Sequence, residues 1–282
     1  MVTLKSSSTT VQISELGAEL KSMVSGDTEY IWQANPEVWG SSAPLMFPIC
    51  GGLKEDKYTF NNREYTLPKH GYGRSVTFVV EYSDSQKAVF LQKSNAETKK
   101  CYPFDYELRV IYTLEGSSLT VAYRVDNLSD GSMYFSIGSH EGYYTPEGIE
   151  DYDIVFPEKE TLNAYVLYGN LLSNQLLPII KESNTLPLYE KYFTIDALVF
   201  KDLKSRSAIL RNRKTGKSVK IDFDFAPYFL LWHKPNAPYI CVEPWAGIQD
   251  IVGSSYDITK KEGIITLDSG QTYNAAHTIT IL

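Results

Sequence analysis

The sequence predicts an all-β fold, a large antiparallel β-sandwich, and three observations carry that prediction. Apolar and polar residues alternate with period two through much of the chain, Gly- and Ser-containing turn signals punctuate nearly every such run, and no stretch has the apolar periodicity of a long helix. The first strand candidates are Val76 to Tyr82 and Ala88 to Gln92, followed by a possible helical turn at Asn95 to Lys100. Tyr106 to Leu114 and Leu119 to Val125 flank Glu115-Gly116-Ser117-Ser118 and read as a hairpin. Met133 to Ile137 is the next strand, and Ser173 to Glu190, with Pro178 and Pro187, reads as a surface loop. Strands are then expected over Phe193 to Phe200, Ala208 to Leu210 and Val219 to Phe225. The basic stretch Arg211, Arg213, Lys214 and Lys217 surrounds Thr215-Gly216 as a solvated hairpin tip. Tyr228 to Trp232 and Tyr239 to Val242 are two apolar strands leading into or ending at tryptophan. A helical turn is expected near Ile248 to Val252, and strands at Ile264 to Leu267 and Thr278 to Leu282 close the chain. Many strands without helical crossovers imply stacked antiparallel sheets whose inner faces make the core.

No Pro-Gly linker, repeat or low-complexity tract divides residues 1–282, and β-sandwiches can exceed ~200 residues as one unit, so one domain is expected. The net charge of −7 opposes binding to a phosphate backbone, which excludes nucleic acid as the natural partner. Three cysteines, Cys50, Cys101 and Cys241, are odd in number and lack CxxC spacing, as suits reduced thiols. The polar start and the lack of ~18 uninterrupted apolar residues point to a cytoplasmic protein with no membrane partner.

With four histidines, each can be weighed. His70 sits in Pro68-Lys69-His70-Gly71-Tyr72-Gly73-Arg74, where glycines let backbone approach a ligand. His140 ends the run Tyr134-Phe135-Ser136-Ile137-Gly138-Ser139 and precedes Glu141-Gly142-Tyr143-Tyr144, where an apolar strand meets an aromatic loop. Either imidazole alone is also compatible with a hydrogen-bonded structural role, and His233 and His277 are assigned that role. Glu243 follows Ile240-Cys241-Val242, so poor solvation can raise its pKa toward that of a useful base; a paired structural carboxylate is the plain alternative. The histidines are dispersed and form no HxH or HExxH pattern, so no metal site is expected.

Six marks in order, Pro44-Leu45-Met46-Phe47-Pro48-Ile49-Cys50-Gly51-Gly52-Leu53, His70-Gly71-Tyr72-Gly73-Arg74, Tyr102-Pro103-Phe104, Ser136-Ile137-Gly138-Ser139-His140, Asp196-Ala197-Leu198 and Cys241-Val242-Glu243-Pro244-Trp245, run over nearly the whole chain. In these the chain resembles the aldose 1-epimerases, or galactose mutarotases, and within them the bacterial branch that includes LacX-like proteins. The resemblance implies a galactose mutarotase-like supersandwich and interconversion of the α and β anomers of an aldohexose. It implies His140 as catalytic acid, Glu243 as catalytic base, and His70, Arg74 and Asp196 as contacts to sugar hydroxyls. Trp232, Trp245, Tyr143 and Tyr144 are candidates to stack on the apolar sugar face, with Trp232 placed among the substrate contacts. Ring opening and closure break and remake one C–O bond with two proton transfers and no change of oxidation state, so no cofactor and no metal is implied, and the expected partner is a small sugar bound by a monomer or weak homodimer.

Two departures stand out. Gly52 occupies a position where many relatives have Arg, and Glu141 one where many have Pro. Three other readings share the residues. One is a non-catalytic sugar-binding or sensing protein on the same fold, since fold alone does not establish activity. A hexose-6-phosphate mutarotase would use Lys69 and Arg74 on a phosphate. A glycoside hydrolase would pair Glu243 with Asp196 or Glu141.

Overall fold

The computed structural model describes residues 1–282. Fourteen strands form one antiparallel sheet. It runs in space from Ile137–Gly138 through Tyr239–Ala246, Tyr228–Trp232, Leu198–Lys201, Tyr152–Tyr168, Ser207–Asn212, Ser218–Asp222, Thr272–Ile281, Ser118–Asn127, Tyr106–Glu115 and Lys87–Lys93 to Val79–Ser83. Glu141–Tyr144 pairs with Tyr239–Ala246, and Leu171–Pro187 with Tyr152–Tyr168. A separate four-stranded sheet, Val2–Lys5, Thr9–Ile13, Leu20–Ser25 and Thr28–Glu29, packs its Leu4, Val11, Ile13, Leu20 and Met23 into the same core as the large sheet. No helix is long and apolar enough to cross a membrane.

Alternation works as expected where one face is wet. Along Tyr106–Glu115, Tyr106, Leu108, Val110, Tyr112 and Leu114 point inward while intervening residues are half-exposed. The hairpin to Ser118–Asn127 turns at Gly116, whose φ of +57° suits a glycine. Tyr239–Ala246 behaves differently, because every residue in it is buried. Ile240 and Val242 enter the main core, whereas Tyr239, Cys241 and Trp245 belong to smaller clusters on the opposite face. That opposite face holds the cleft.

Several elements depart from expectation. Ser173 to Glu190 is not a loop: Leu171–Pro187 is a 17-residue strand. Apart from a bridge of Leu172 to Ile251 it pairs on one side only, which is why prolines and polar residues are tolerated there. Phe193 to Phe200 is mostly not a strand, since Glu190–Phe193 is a short 3-10 turn and only Leu198–Lys201 is extended. Ile248 to Val252 forms no helical turn; its backbone instead bonds to Gly52 and Leu172. The run Met133 to Ile137 splits, Met133–Phe135 pairing with Ile265–Leu267 and Ile137–Gly138 with Tyr239–Ala246. The helical turn near residue 98 is present as Thr98–Cys101. Cys50, Cys101 and Cys241 are free thiols.

Candidate active site

The cleft is built on the strand pair Tyr228–Trp232 and Tyr239–Ala246. Their register sets Leu230 opposite Glu243, Trp232 opposite Cys241 and Tyr228 opposite Trp245. Residues at every second position of both strands therefore share one face. Leu230, Trp232, Glu243 and Trp245 form the floor of a cavity of about 350 Å³. Its walls come from loops, including Trp39, Gly51, Gly52, Lys69, His70 and Arg74 on one side, and His140, Asn170, Asp196 and Gln249 on others.

His140 and Glu243 meet at the floor. Nδ1 of His140 lies 3.4 Å from Oε1 of Glu243, and both side chains are almost wholly withdrawn from solvent. The imidazole stacks on Trp39 at 5.2 Å between ring centroids and presents its edge toward Trp232 and His70. Burial pushes the Glu243 carboxyl well above its ordinary range, with the charge of Lys69 opposing this. Burial, helped by the positive charge of Lys69, holds the His140 imidazolium down to about 3. Both shifts favour the uncharged forms, a neutral imidazole and a protonated carboxyl.

His70 is held by a two-way bond to Gly51. The His70 backbone N–H donates to the Gly51 carbonyl at 2.8 Å, and the Gly51 N–H donates to His70 Nδ1 at 3.1 Å. His70 has a φ of +68°, a strained conformation for a residue with a side chain, and the reciprocal bonds hold it there. Gly71 follows because an added Cβ would stand 2.3 Å from the Phe47 carbonyl oxygen. Arg74 donates to the Lys69 carbonyl, not to a carboxylate. Asp196, also at positive φ (+85°), precedes strand Leu198–Lys201 and reaches the cleft from the far wall.

All six residues singled out in the sequence, His140, Glu243, His70, Arg74, Asp196 and Trp232, line this one cavity, together with Trp245. Two other aromatic candidates do not. Tyr143 is buried in the main core, and Tyr144 lines a different cavity with Tyr30 and Tyr152, because Glu141–Tyr144 turns this part of its strand away from the cleft. Glu141 is likewise absent from the cleft: its Oε1 lies 2.9 Å from Nε2 of His277, with both side chains buried. That removes the Glu243–Glu141 pairing considered for a hydrolase. His233 sits between the Tyr239 carbonyl and Glu190. Sequence reasoning missed Trp39, Asn170, Leu167 and Gln249, which sit in turns or at a strand end where no periodicity marks them.

The model of the Aldose 1-epimerase family matches residues 1–280 of the chain. The chain belongs to the aldose 1-epimerase family. It is 34% identical over 296 residues to the plasmid-borne Protein LacX of Lactococcus lactis subsp. lactis, covering 100% of this chain and 99% of that protein. Among solved structures it is similar to a galactose mutarotase related enzyme from Lactobacillus acidophilus, with TM-score 0.94, 34% identity and coverage of 100% and 97%. A galactose mutarotase-like protein from Lactobacillus casei ATCC 334 matches with TM-score 0.94 and 30% identity over the full length of both chains. As a member of this epimerase family the chain is an isomerase with a galactose mutarotase-like all-β fold.

One further property of this epimerase cleft was not foreseen. Strand parity puts Cys241 beside His140 and Glu243, so that a nitrogen of His140, Sγ of Cys241 and a carboxylate oxygen of Glu243 all lie within 4.8 Å of one another. These are donor types that suit zinc, three of the four positions of a tetrahedral site.

Proposed function

We propose that the protein is a mutarotase in which Glu243 and His140 carry protons to and from the hemiacetal of a free aldohexose. The observation that carries this reading is the 3.4 Å approach of His140 to Glu243 at the floor of a cleft of sugar size. O1 and O5 are both bonded to C1, so an acid and a base set side by side match the two oxygens that must exchange protons. As the sugar O1 hydroxyl donates to Glu243, the carboxyl proton passes to His140, giving carboxylate and imidazolium. Glu243 takes the O1 proton, C1=O1 forms, and the C1–O5 bond breaks with its electron pair going to O5. O5 takes the proton of His140, and the aldehyde rotates about C1–C2. Reclosure reverses each transfer on the other face of the carbonyl, and no atom or electron is gained or lost. His70, Arg74 and Asp196 hold hydroxyls, and Trp232 or Trp245 offers an apolar face.

A positioned proton transfer is worth ~10² to 10⁴ in rate, so Glu243→Gln and His140→Asn should each lower anomer exchange by about that factor with the fold intact. Polarimetry or exchange NMR on α-galactose and α-glucose reads this directly. Near-wild-type rates in both variants would defeat the assignment, and sugar binding with no exchange by the wild type would favour a binding protein.

A second substrate reading has its own observation. Lys69 and Arg74 line the cleft, and Arg74 is satisfied by a backbone carbonyl. Two cations without carboxylate partners suit a hexose 6-phosphate. Exchange rates for glucose 6-phosphate and galactose 6-phosphate beside the free sugars decide between the two, and Lys69→Ala should raise KM most for the phosphorylated substrates.

A further inference from the structure

The wall of the cleft at Gly51 and Gly52 is shaped by what two glycines leave out. A Cβ on Gly51 would stand 2.4 Å from Cβ of Gln249, and a Cβ on Gly52 would stand 2.8 Å from Cβ of Asn170. Neither distance is tolerated by a real side chain, so each glycine is matched to one amide residue from elsewhere in the chain. Asn170 is brought in by the turn between the long strands Tyr152–Tyr168 and Leu171–Pro187. Gln249 lies in the segment that follows Tyr239–Ala246.

These parts are tied together through Asp250. Its N–H donates to the Gly52 carbonyl at 2.9 Å, and its carbonyl accepts from Leu172 N–H at 2.8 Å. Its carboxylate accepts from Lys54 N–H and from the buried Lys261 ammonium. Val252 N–H closes the arrangement on the Leu172 carbonyl at 2.7 Å. The long hairpin is therefore pinned to the wall two residues from Asn170. Gln249 is 4% exposed, and its Oε1 is buried with no hydrogen-bond partner although the residue lines the cavity. A buried amide oxygen without a donor is costly unless something that enters the site supplies one.

We propose that Gln249 and Asn170 determine sugar specificity, reading hydroxyl groups from the wall beside Gly51 and Gly52. Gln249 Oε1 accepts from one hydroxyl, and the Asn170 amide contacts another nearer the mouth. This deepens the mutarotase reading and rests on it for the identity of the ligand as an aldose. An amide both donates and accepts without charge, so the wall selects by hydroxyl geometry in neutral sugars.

The test compares wild type, Gln249→Leu, Gln249→Glu and Asn170→Ala with glucose, galactose and mannose, which differ in the orientation of single hydroxyls. Kd is measured by quenching of the tryptophans in the cleft or by saturation-transfer NMR, and KM and kcat by polarimetry. Gln249→Leu and Asn170→Ala are each expected to raise Kd and KM for the preferred sugar by about 3- to 10-fold, the loss of one neutral hydrogen bond, with kcat within about twofold. They should also compress the preference among the three sugars, and Gln249→Glu, which keeps the acceptor, should restore part of the affinity lost in Gln249→Leu. Unchanged Kd and preference in both Gln249→Leu and Asn170→Ala overturn the proposal. If wild type binds sugar without exchanging it, the mutarotase reading fails while Kd still judges this one. If wild type binds none of the three, the proposal fails as well. Should Gln249→Leu not fold, Asn170→Ala, at an exposed turn residue, decides by the same measurements.

Discussion

His70 and Gly51 grip each other in both directions, and that relationship fixes which nitrogen of the imidazole can serve a substrate. Nδ1 accepts from the Gly51 N–H, and burial holds the ring neutral, so the proton sits on Nε2. His70 can donate to a sugar oxygen but is not the group that supplies a proton to O5. His70→Ala should therefore raise KM by about 3- to 10-fold and change kcat much less. An unaltered KM for the preferred sugar would remove His70 from the binding set.

The protonation states at the floor predict an unusual pH profile. In the proposed mechanism the productive form has a neutral His140 imidazole beside a protonated Glu243 carboxyl, one titrating proton above the fully deprotonated pair. Burial lowers His140 to about 3 and raises Glu243 well above its ordinary 4.5, so the one-proton form persists between those limits. The plot of kcat/KM against pH should be level through about 6.5, the ordinary imidazole value, with an acid limb near His140's lowered value and an alkaline limb where Glu243 loses its proton. Stopped polarimetry at constant ionic strength measures this. An inflection at the ordinary imidazole value would show that His140 titrates as an exposed histidine.

How far the site was legible can be followed residue by residue. His140, Glu243 and Trp232 were readable because they lie on or beside strands whose apolar runs are strong, and strand parity then delivers them to one face. His70 and Arg74 stood out only through the glycines around them, and Asp196 only through the resemblance, since all three sit in loops or short turns that no period describes. Trp39, Asn170 and Gln249 carry neither signal: their place depends on how distant turns dock, through contacts such as Gly52 against Asn170. The fold followed the same rule. Strands with one wet face were located closely, while Leu171–Pro187 was missed because an edge strand need not alternate and can hold prolines. The N-terminal strands Val2–Lys5 and Thr9–Ile13 were passed over because Ser and Thr dilute their pattern.

Glu141 pairs with His277 in the core, which explains why a charged residue can follow His140 in the chain without entering the cleft. The partners bridge Glu141–Tyr144 and Thr272–Ile281, strands far apart in the sheet order. His277→Ala leaves the carboxyl buried alone and should cost about 3 kcal/mol of stability. The measurement is a urea unfolding midpoint, with anomer exchange per folded molecule staying near wild type. A lost rate at full stability would instead tie His277 to the chemistry.

Glu243 should weaken the fold it serves. In the unfolded chain its carboxyl titrates near the ordinary value of 4.5, whereas in the folded protein burial raises it. Between those two values the native state holds a proton that the unfolded state has released, so native stability falls as pH rises through that window. Its contribution is fully present below about 4.5 and is lost as pH climbs through the raised value. Glu243→Gln keeps the shape of the neutral carboxyl and removes the titration. The variant should melt higher than wild type at pH 8, by about 2 to 4 °C for each kcal/mol recovered, with the difference vanishing near pH 4. His140 acts with the opposite sign, because its lowered value makes the unfolded state the better proton binder as pH falls from 6.5 toward about 3, so His140→Asn should lessen the acid loss of stability. Thermal melts of both variants across pH separate the two effects. Equal melting temperatures of wild type and Glu243→Gln at pH 8 would mean that the carboxyl is solvated in the native protein, and the proton-sharing pair on which the mechanism rests would have to be abandoned.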